Sequence, residues 1–129
     1  DPHVIDGAFS IGDLRITPFE QEHGSMGSLG FLFEQNGNKR LAYYNDCKSV
    51  SQSSSDAASG VQVAVLDALR PIEHPSHMTL DEALTAARRI GAGESMLSHL
   101  TDFYDHDRDS ADLPDGVIFA YDGLRRSLA

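Results

Sequence analysis

The chain has 129 residues, 40% apolar and 23% charged, a composition that suits one soluble globular domain with its own core. A formal net charge of −10 argues against a nucleic-acid backbone or an anionic membrane as main partner, though a bound metal can reverse the field locally. One cysteine, Cys47, rules out an internal disulfide, and no apolar run approaches the length of a membrane span; both fit a cytoplasmic protein.

In chain order the first half reads as strands. AFSIGDLRITPFEQ (8–21) carries β-branched and aromatic residues around Gly12-Asp13, a hairpin pattern. GFLFEQNGNKRLAYY (30–44) repeats it, with Asn36-Gly37 as a strong turn signal. SVSQSSSDAASG (49–60) is polar and serine-rich and reads as a surface loop with room for a short helix. VQVAVLDAL (61–69) is a nearly continuous apolar run, as expected of a strand covered on both faces.

Thr79 and Glu82 form a capping-box pattern that opens a helix over about 80–90, with Leu80, Ala83, Leu84 and Ala87 on one face and Gly91 as its stop. ESMLSHL (94–100) predicts a short strand, residues 102–115 an acidic loop, and VIFAY and LRRSL two strands about Asp122-Gly123. The order is α/β (α+β): mostly strands, with one clear helix in a strand–helix–strand crossover.

Polar residues gather where strands end, the usual place for a site in such folds. His23 follows the second strand, Asp46 follows LAYY, Asp67 closes VAVL, and His99 follows SML. His74 and His77 precede the helix. Imidazole and carboxylate from different strand ends suit Zn²⁺, Mn²⁺ or Fe. The spacing itself carries no HxH, HExxH or CxxC signature, and a histidine after a strand also serves as an ordinary surface residue. Other motifs fail on inspection. GSMGSLG (24–30) is neither a dinucleotide nor a phosphate loop, and no serine has the flanking glycines of a nucleophile elbow. Asp105, Asp107 and Asp109 imitate a calcium loop, but Ser110 and Gly116 stand where Gly and Glu are required. Cys47 reads as a packing residue.

Taken together, EQEHGSMGSLGFLFE, RLAYYNDC, VAVLDALRPIEHPSHMTLDEAL, MLSHL and LPDGVIFAYDGL resemble, in this order, the second half of metallo-β-lactamase-fold hydrolases, in the branch of phosphoribosyl cyclic-phosphate phosphodiesterases. The resemblance implies half of an αββα sandwich with a dinuclear centre at its edge. On the family pattern His23 would ligate one metal, Asp46 bridge both, and His99 ligate the other. His77 would meet the substrate phosphate or protonate its leaving group, with Asp67 and His74 in supporting or substrate-side places. Two divalent ions, Zn or Mn with Fe as a further choice, would hold a hydroxide that attacks a small, in some cases cyclic, phosphodiester.

Two departures qualify this. The family signature HxHxDH is absent, and SHLTD places Asp102 where a second histidine is common. A start at Asp1-Pro2-His3 without Met agrees with a chain that is only the C-terminal half. The resemblance therefore implies a companion: the N-terminal half of the same fold or a second copy. A non-catalytic half-domain that binds metal weakly or only associates with a partner stays open as the alternative.

Overall fold

The computed structural model describes residues 2–128. Seven strands form one sheet whose spatial order is their chain order. Strand β1 (Phe9–Ile11) turns at Gly12 into β2 (Leu14–Gln21), which pairs antiparallel with β3 (Ser28–Gln35). Asn36 and Gly37, both at positive φ (52° and 75°), make the tight turn from β3 into β4 (Asn38–Tyr44), as the Asn-Gly pair predicts. From β4 the sheet changes character: β5 (Val63–Asp67), β6 (Glu94–Ser98) and β7 (Val117–Phe119) each pair parallel to the strand before. Parallel neighbours require crossovers, and these carry α1 (Gln52–Ala58), α2 (Leu80–Ile90) and α3 (His106–Asp109), the last running into a single 3-10 turn. This is the mixed, strand-dominated α/β fold expected, with few and short helices.

Helix α2 shows how sequence sets position. Thr79 accepts from the Glu82 amide while the Glu82 carboxylate accepts from the Thr79 amide at 2.7 Å, so the capping box is complete. Gly91 closes the helix in the left-handed conformation. Ala83, Ala86, Ala87 and Ile90 are its buried residues; Leu80 and Leu84 are only partly covered. They join one face of the sheet, namely Leu32, Ala42, Tyr44, Ala64, Leu66, Leu97 and Phe119, in a single apolar cluster. Their neighbours along the strands, Phe31, Phe33, Leu41, Tyr43, Val63, Val65, Met96 and Ile118, alternate onto the other face and stand outside that cluster.

One expectation is made definite and three need correction. The serine-rich segment holds a true helix: Ser51 caps α1 by accepting from the Ser54 amide, and the nearly buried Ser54 and Ser55 hydroxyls donate back to the Ser51 and Gln52 carbonyls. The acidic segment holds α3, capped by Asp105. Residues 124–128, expected as a strand, form none. Leu124 donates to the Tyr121 carbonyl to close the turn at Gly123, and Arg126 leaves the sheet edge to make a two-pronged ion pair with Glu94 (2.7 and 2.9 Å). The apolar run 61–69 also ends early: the strand stops at Asp67, and the Leu69 amide donates to the Met78 carbonyl at 3.0 Å and to the Asp67 carboxylate at 3.2 Å. Among the described residues, no helix is long and apolar enough to cross a membrane.

Candidate metal centre

The parallel half of the sheet sends the C-terminal ends of β4, β5 and β6 to one edge, and Asp46, Asp67 and His99 sit at those ends. Strand β2 ends at the same edge, since it runs antiparallel to β3 and hence along β4. A bridge between Glu22 and Ser49 then holds the segment carrying His23 beside the one carrying Asp46. His74 and His77 arrive on the loop between β5 and α2.

Asp46 and His99 share an unusual backbone. Both are non-glycine residues at positive φ, 57° and 62°, and apart from the Asn36 turn they are the only such residues among those described. Strained conformations of this kind persist where the surroundings over-determine them. Around Asp46 they do: its carbonyl accepts from the Ser28 hydroxyl at 2.8 Å, the next amide, Cys47, donates to Asp67 at 3.0 Å, and Lys48 donates to the Glu22 carbonyl at 2.7 Å.

Asp67 is fully buried and organises the centre. Its Oδ1 accepts from the Leu69 amide and its Oδ2 from the Cys47 amide. With both oxygens accepting from main chain, the third contact, His77 Nδ1 at 2.8 Å, is a donation from the imidazole. That fixes the proton of neutral His77 on Nδ1 and leaves Nε2 as the free nitrogen, the carboxylate–histidine arrangement that orients metal-ligating or proton-transferring imidazoles. The Tyr104 hydroxyl donates to the Ala68 carbonyl next door; burial first, then Asp67 and Asp109, push its phenol up to about 12.

All six residues singled out in the sequence converge. His23 Nε2 lies 3.0 Å from Asp46 Oδ1, with His77 Nδ1 at 3.6 Å and His99 Nε2 at 3.8 Å from the same oxygen. The His77 ring stands at the middle of a histidine fan, with centroids 5.0 Å from His23, 4.8 Å from His74 and 4.8 Å from His99. Ligand atoms of Asp46, Asp67, His77 and His99 all fall within 4.8 Å of one another, and a mixed imidazole–carboxylate set at that spacing fits a divalent transition metal. A cavity of about 440 Å³, lined by Ser98, His99, Leu100, Ala120, Tyr121 and Asp122, opens beside His99.

Several residues stand apart. Asp102 is exposed and outside the cluster, and His106 packs against Phe119 and Tyr121 instead. Cys47 is fully buried, and burial pushes its thiol up to about 12, so it is no nucleophile. Sequence reading overlooked Ser28, Ser76 and Tyr104, whose hydroxyls brace the site; a lone hydroxyl residue at a strand end or in a loop gives no pattern by which to find it.

Residues 1–100 match the beta-lactamase superfamily domain. The chain belongs to the metallo-β-lactamase superfamily. Among solved structures, this superfamily chain is similar to a diphosphatase of the PhnP family, at 28% identity and a TM-score of 0.86, over 97% of the chain and 48% of that protein. It shares its fold with the metallo-β-lactamase fold protein YhfI of Bacillus subtilis, at 22% identity and a TM-score of 0.76, over 92% and 52%. Among curated proteins it is 29% identical over 121 residues to an octanoyltransferase of Porphyromonas gingivalis, covering 92% of this chain and 24% of that protein. The chain thus spans about half the length of the matched structures and about a quarter of the curated relative.

Proposed function

We propose that this chain is the C-terminal part of a metal-dependent phosphodiesterase whose centre is completed by an N-terminal half of the same fold. The observation that carries this reading is the convergence of His23, His77 and His99 on one carboxylate oxygen of Asp46, with His77 held against buried Asp67. A centre of two Zn²⁺ or Mn²⁺ ions, with Fe as a further choice, would be held by this donor set, with His23 and His99 as ligands and Asp46 as the ligand the ions would share. Bound there, the cations would activate water and neutralise phosphoryl charge.

The chain's own residues supply the rest. The Asp67 carboxylate holds the His77 ring through Nδ1–H, so that the Nε2 lone pair is turned to the reacting group, where it can take up a proton from the attacking water and, carrying that proton, hand it on to a leaving oxygen. Ser28 keeps the Asp46 carbonyl in place, and the cavity beside His99 gives room for the substrate's far side. Small phosphodiesters, cyclic ones included, fit the reading, and the similarity to a PhnP-family diphosphatase supports phosphorus chemistry. Acyl transfer through a thiol finds no support, since Cys47 is buried and protonated. On this reading the protein is cytoplasmic, with neither nucleic acid nor membrane as partner, and its acidic charge and single cysteine support that.

The missing HxHxDH favours one other reading, a non-catalytic half that binds metal weakly. Elemental analysis with intact mass separates the two, followed by assay against bis(4-nitrophenyl) phosphate. About two metals per complex of this chain with a second polypeptide, and Mn²⁺- or Zn²⁺-dependent turnover, support the enzyme. A lone chain without metal, inert even when the N-terminal half is supplied, sinks it.

A further inference from the structure

His74 is the one histidine of the fan with no carboxylate contact. Its Nδ1 instead receives the Ser76 backbone amide at 3.3 Å and lies 3.3 Å from the Ser76 hydroxyl. A backbone N–H only donates, so Nδ1 must present its lone pair, and the proton of neutral His74 sits on Nε2. His77 is the reverse case, its Nδ1 proton committed to Asp67. Two imidazoles 4.8 Å apart are thus set in opposite tautomers: His77 offers Nε2 as acceptor or proton carrier, while His74 offers Nε2–H as a donor. Among the described residues that Nε2 has no protein partner.

The ring is also held still. The Arg70 guanidinium donates to the carbonyls of Ile72 and Glu73, the Glu73 carboxylate accepts from Lys48, and Ser76 packs against Gly24 in the loop that follows His23. Gly24 is at positive φ, and a Cβ there would meet Ser76 Cβ at 3.4 Å. An imidazole donor fixed by main chain on one side and a pinned loop on the other is preorganised for an anionic oxygen and unsuited to a cation.

We propose that His74 is a phosphate-binding residue: neutral, Nε2-protonated, it donates to a non-bridging oxygen of the substrate's phosphoryl group beside His77. This rests on the phosphoester reading of the site and adds to it a residue that selects an anionic tetrahedral group over a flat, neutral ester.

Two measurements on the protein test it. Long-range ¹⁵N–¹H correlation spectra of the histidines should show neutral His74 protonated on Nε2, with Ser76→Ala weakening that preference; an Nδ1-protonated His74 overturns the proposal. In the metal-loaded protein, His74→Ala should weaken binding of inorganic phosphate by about tenfold, the usual worth of one hydrogen bond to a charged group, and His74→Gln, which keeps an N–H donor, should recover part of it. With bis(4-nitrophenyl) phosphate, KM should rise in His74→Ala by more than kcat falls. Equal phosphate affinity in the wild type and His74→Ala overturns the inference, even if the protein hydrolyses phosphodiesters and the functional reading stands. A wild type that binds phosphate through His74 but turns over no phosphodiester supports the donor and removes the enzyme.

Discussion

Asp67 has no contact with solvent and three hydrogen-bonding obligations, and this makes it the residue through which the site is built. The Cys47 amide ties it to the Asp46 turn, the Leu69 amide ends β5 on it, and the His77 ring stands on it. Asp67→Ala would leave the buried Cys47 amide and the His77 ring nitrogen without acceptors, at about 1–3 kcal/mol for each orphaned group, while the Leu69 amide keeps the Met78 carbonyl at 3.0 Å. It should therefore lower the urea midpoint markedly, and with it the metal content. Asp67→Asn keeps the shape but offers only one acceptor oxygen, and its N–H₂ faces donors. The turn should survive in part while the His77 tautomer is lost, so turnover of the complete enzyme should fall by about 10²–10⁴ while metal binding falls less. His77→Ala should match Asp67→Asn in turnover without its stability cost. Similar stability loss in both variants, or full activity in either, would remove Asp67 from the role given to it here.

At the scale of elements, the start of α2 does two jobs. Its capping box fixes the helix, and Lys48, bonded to Glu82 at 2.9 Å and Glu73 at 2.8 Å, ties that same first turn to the segment just after Asp46. Burial alone would raise the Glu82 carboxyl, but the hydrogen bonds from Lys48 and the Thr79 amide outweigh it and hold the group below its ordinary value. For Lys48, burial would lower the ammonium, yet Glu73 and Glu82 leave it raised. A depressed carboxyl contributes stability that is present above its unfolded pKa and disappears as pH falls through the folded value. A raised ammonium contributes stability below its unfolded pKa, lost as pH rises through the folded one. Melting points should thus drop on the acid side more steeply in the wild type than in Glu82→Gln, the two curves converging at low pH. The partly exposed pair adds little on its own; Thr79→Ala, which removes the cap, should cost about 1 kcal/mol at neutral pH.

The same element shows why parts of this fold were legible beforehand. Thr79, Glu82 and Gly91 are local signals, each satisfied within three or four residues, as is the Asn36-Gly37 turn. The ends of apolar runs likewise located His23, Asp46, Asp67 and His99, because a strand end is a local event. What stayed hidden depended on partners far away in sequence or on side chains acting against their usual preference. Serines 51, 54 and 55 make α1 by bonding to their own turn, a habit equally at home in a loop, so that loop and short helix are both readings of that segment. Residues 124–128 have strand character until Glu94, distant in the chain, takes Arg126. Ser28 and Ser76 carry no pattern of their own, and only the folded turn gives them a carbonyl or a ring to hold.

The molecule as a whole has helices gathered on one face of its sheet and a row of large apolar residues on the other: Phe31, Phe33, Leu41, Tyr43, Val63, Val65, Met96 and Ile118. Several are only partly covered, and Tyr43 is 37% exposed. An apolar field of this width on a lone layer is a binding surface or a liability. A stable interface needs roughly 800 Å² from each side, and a seven-stranded sheet face can supply it. The matched structures carry about as much chain again as this one, which makes a second sheet the proposed occupant. Sedimentation of the chain mixed with a separately expressed N-terminal half should give a one-to-one complex, with fluorescence of an added hydrophobic dye falling as it forms. Phe33→Glu, which places a charge at the middle of the face, should abolish the complex and leave the chain's own fold intact by circular dichroism, because Phe33 takes no part in the helix-side core. If the chain sediments alone whatever is added, binds no dye, and is indifferent to Phe33→Glu, the face is not an interface, and the metal centre at its edge would have to be complete in the residues already on this chain.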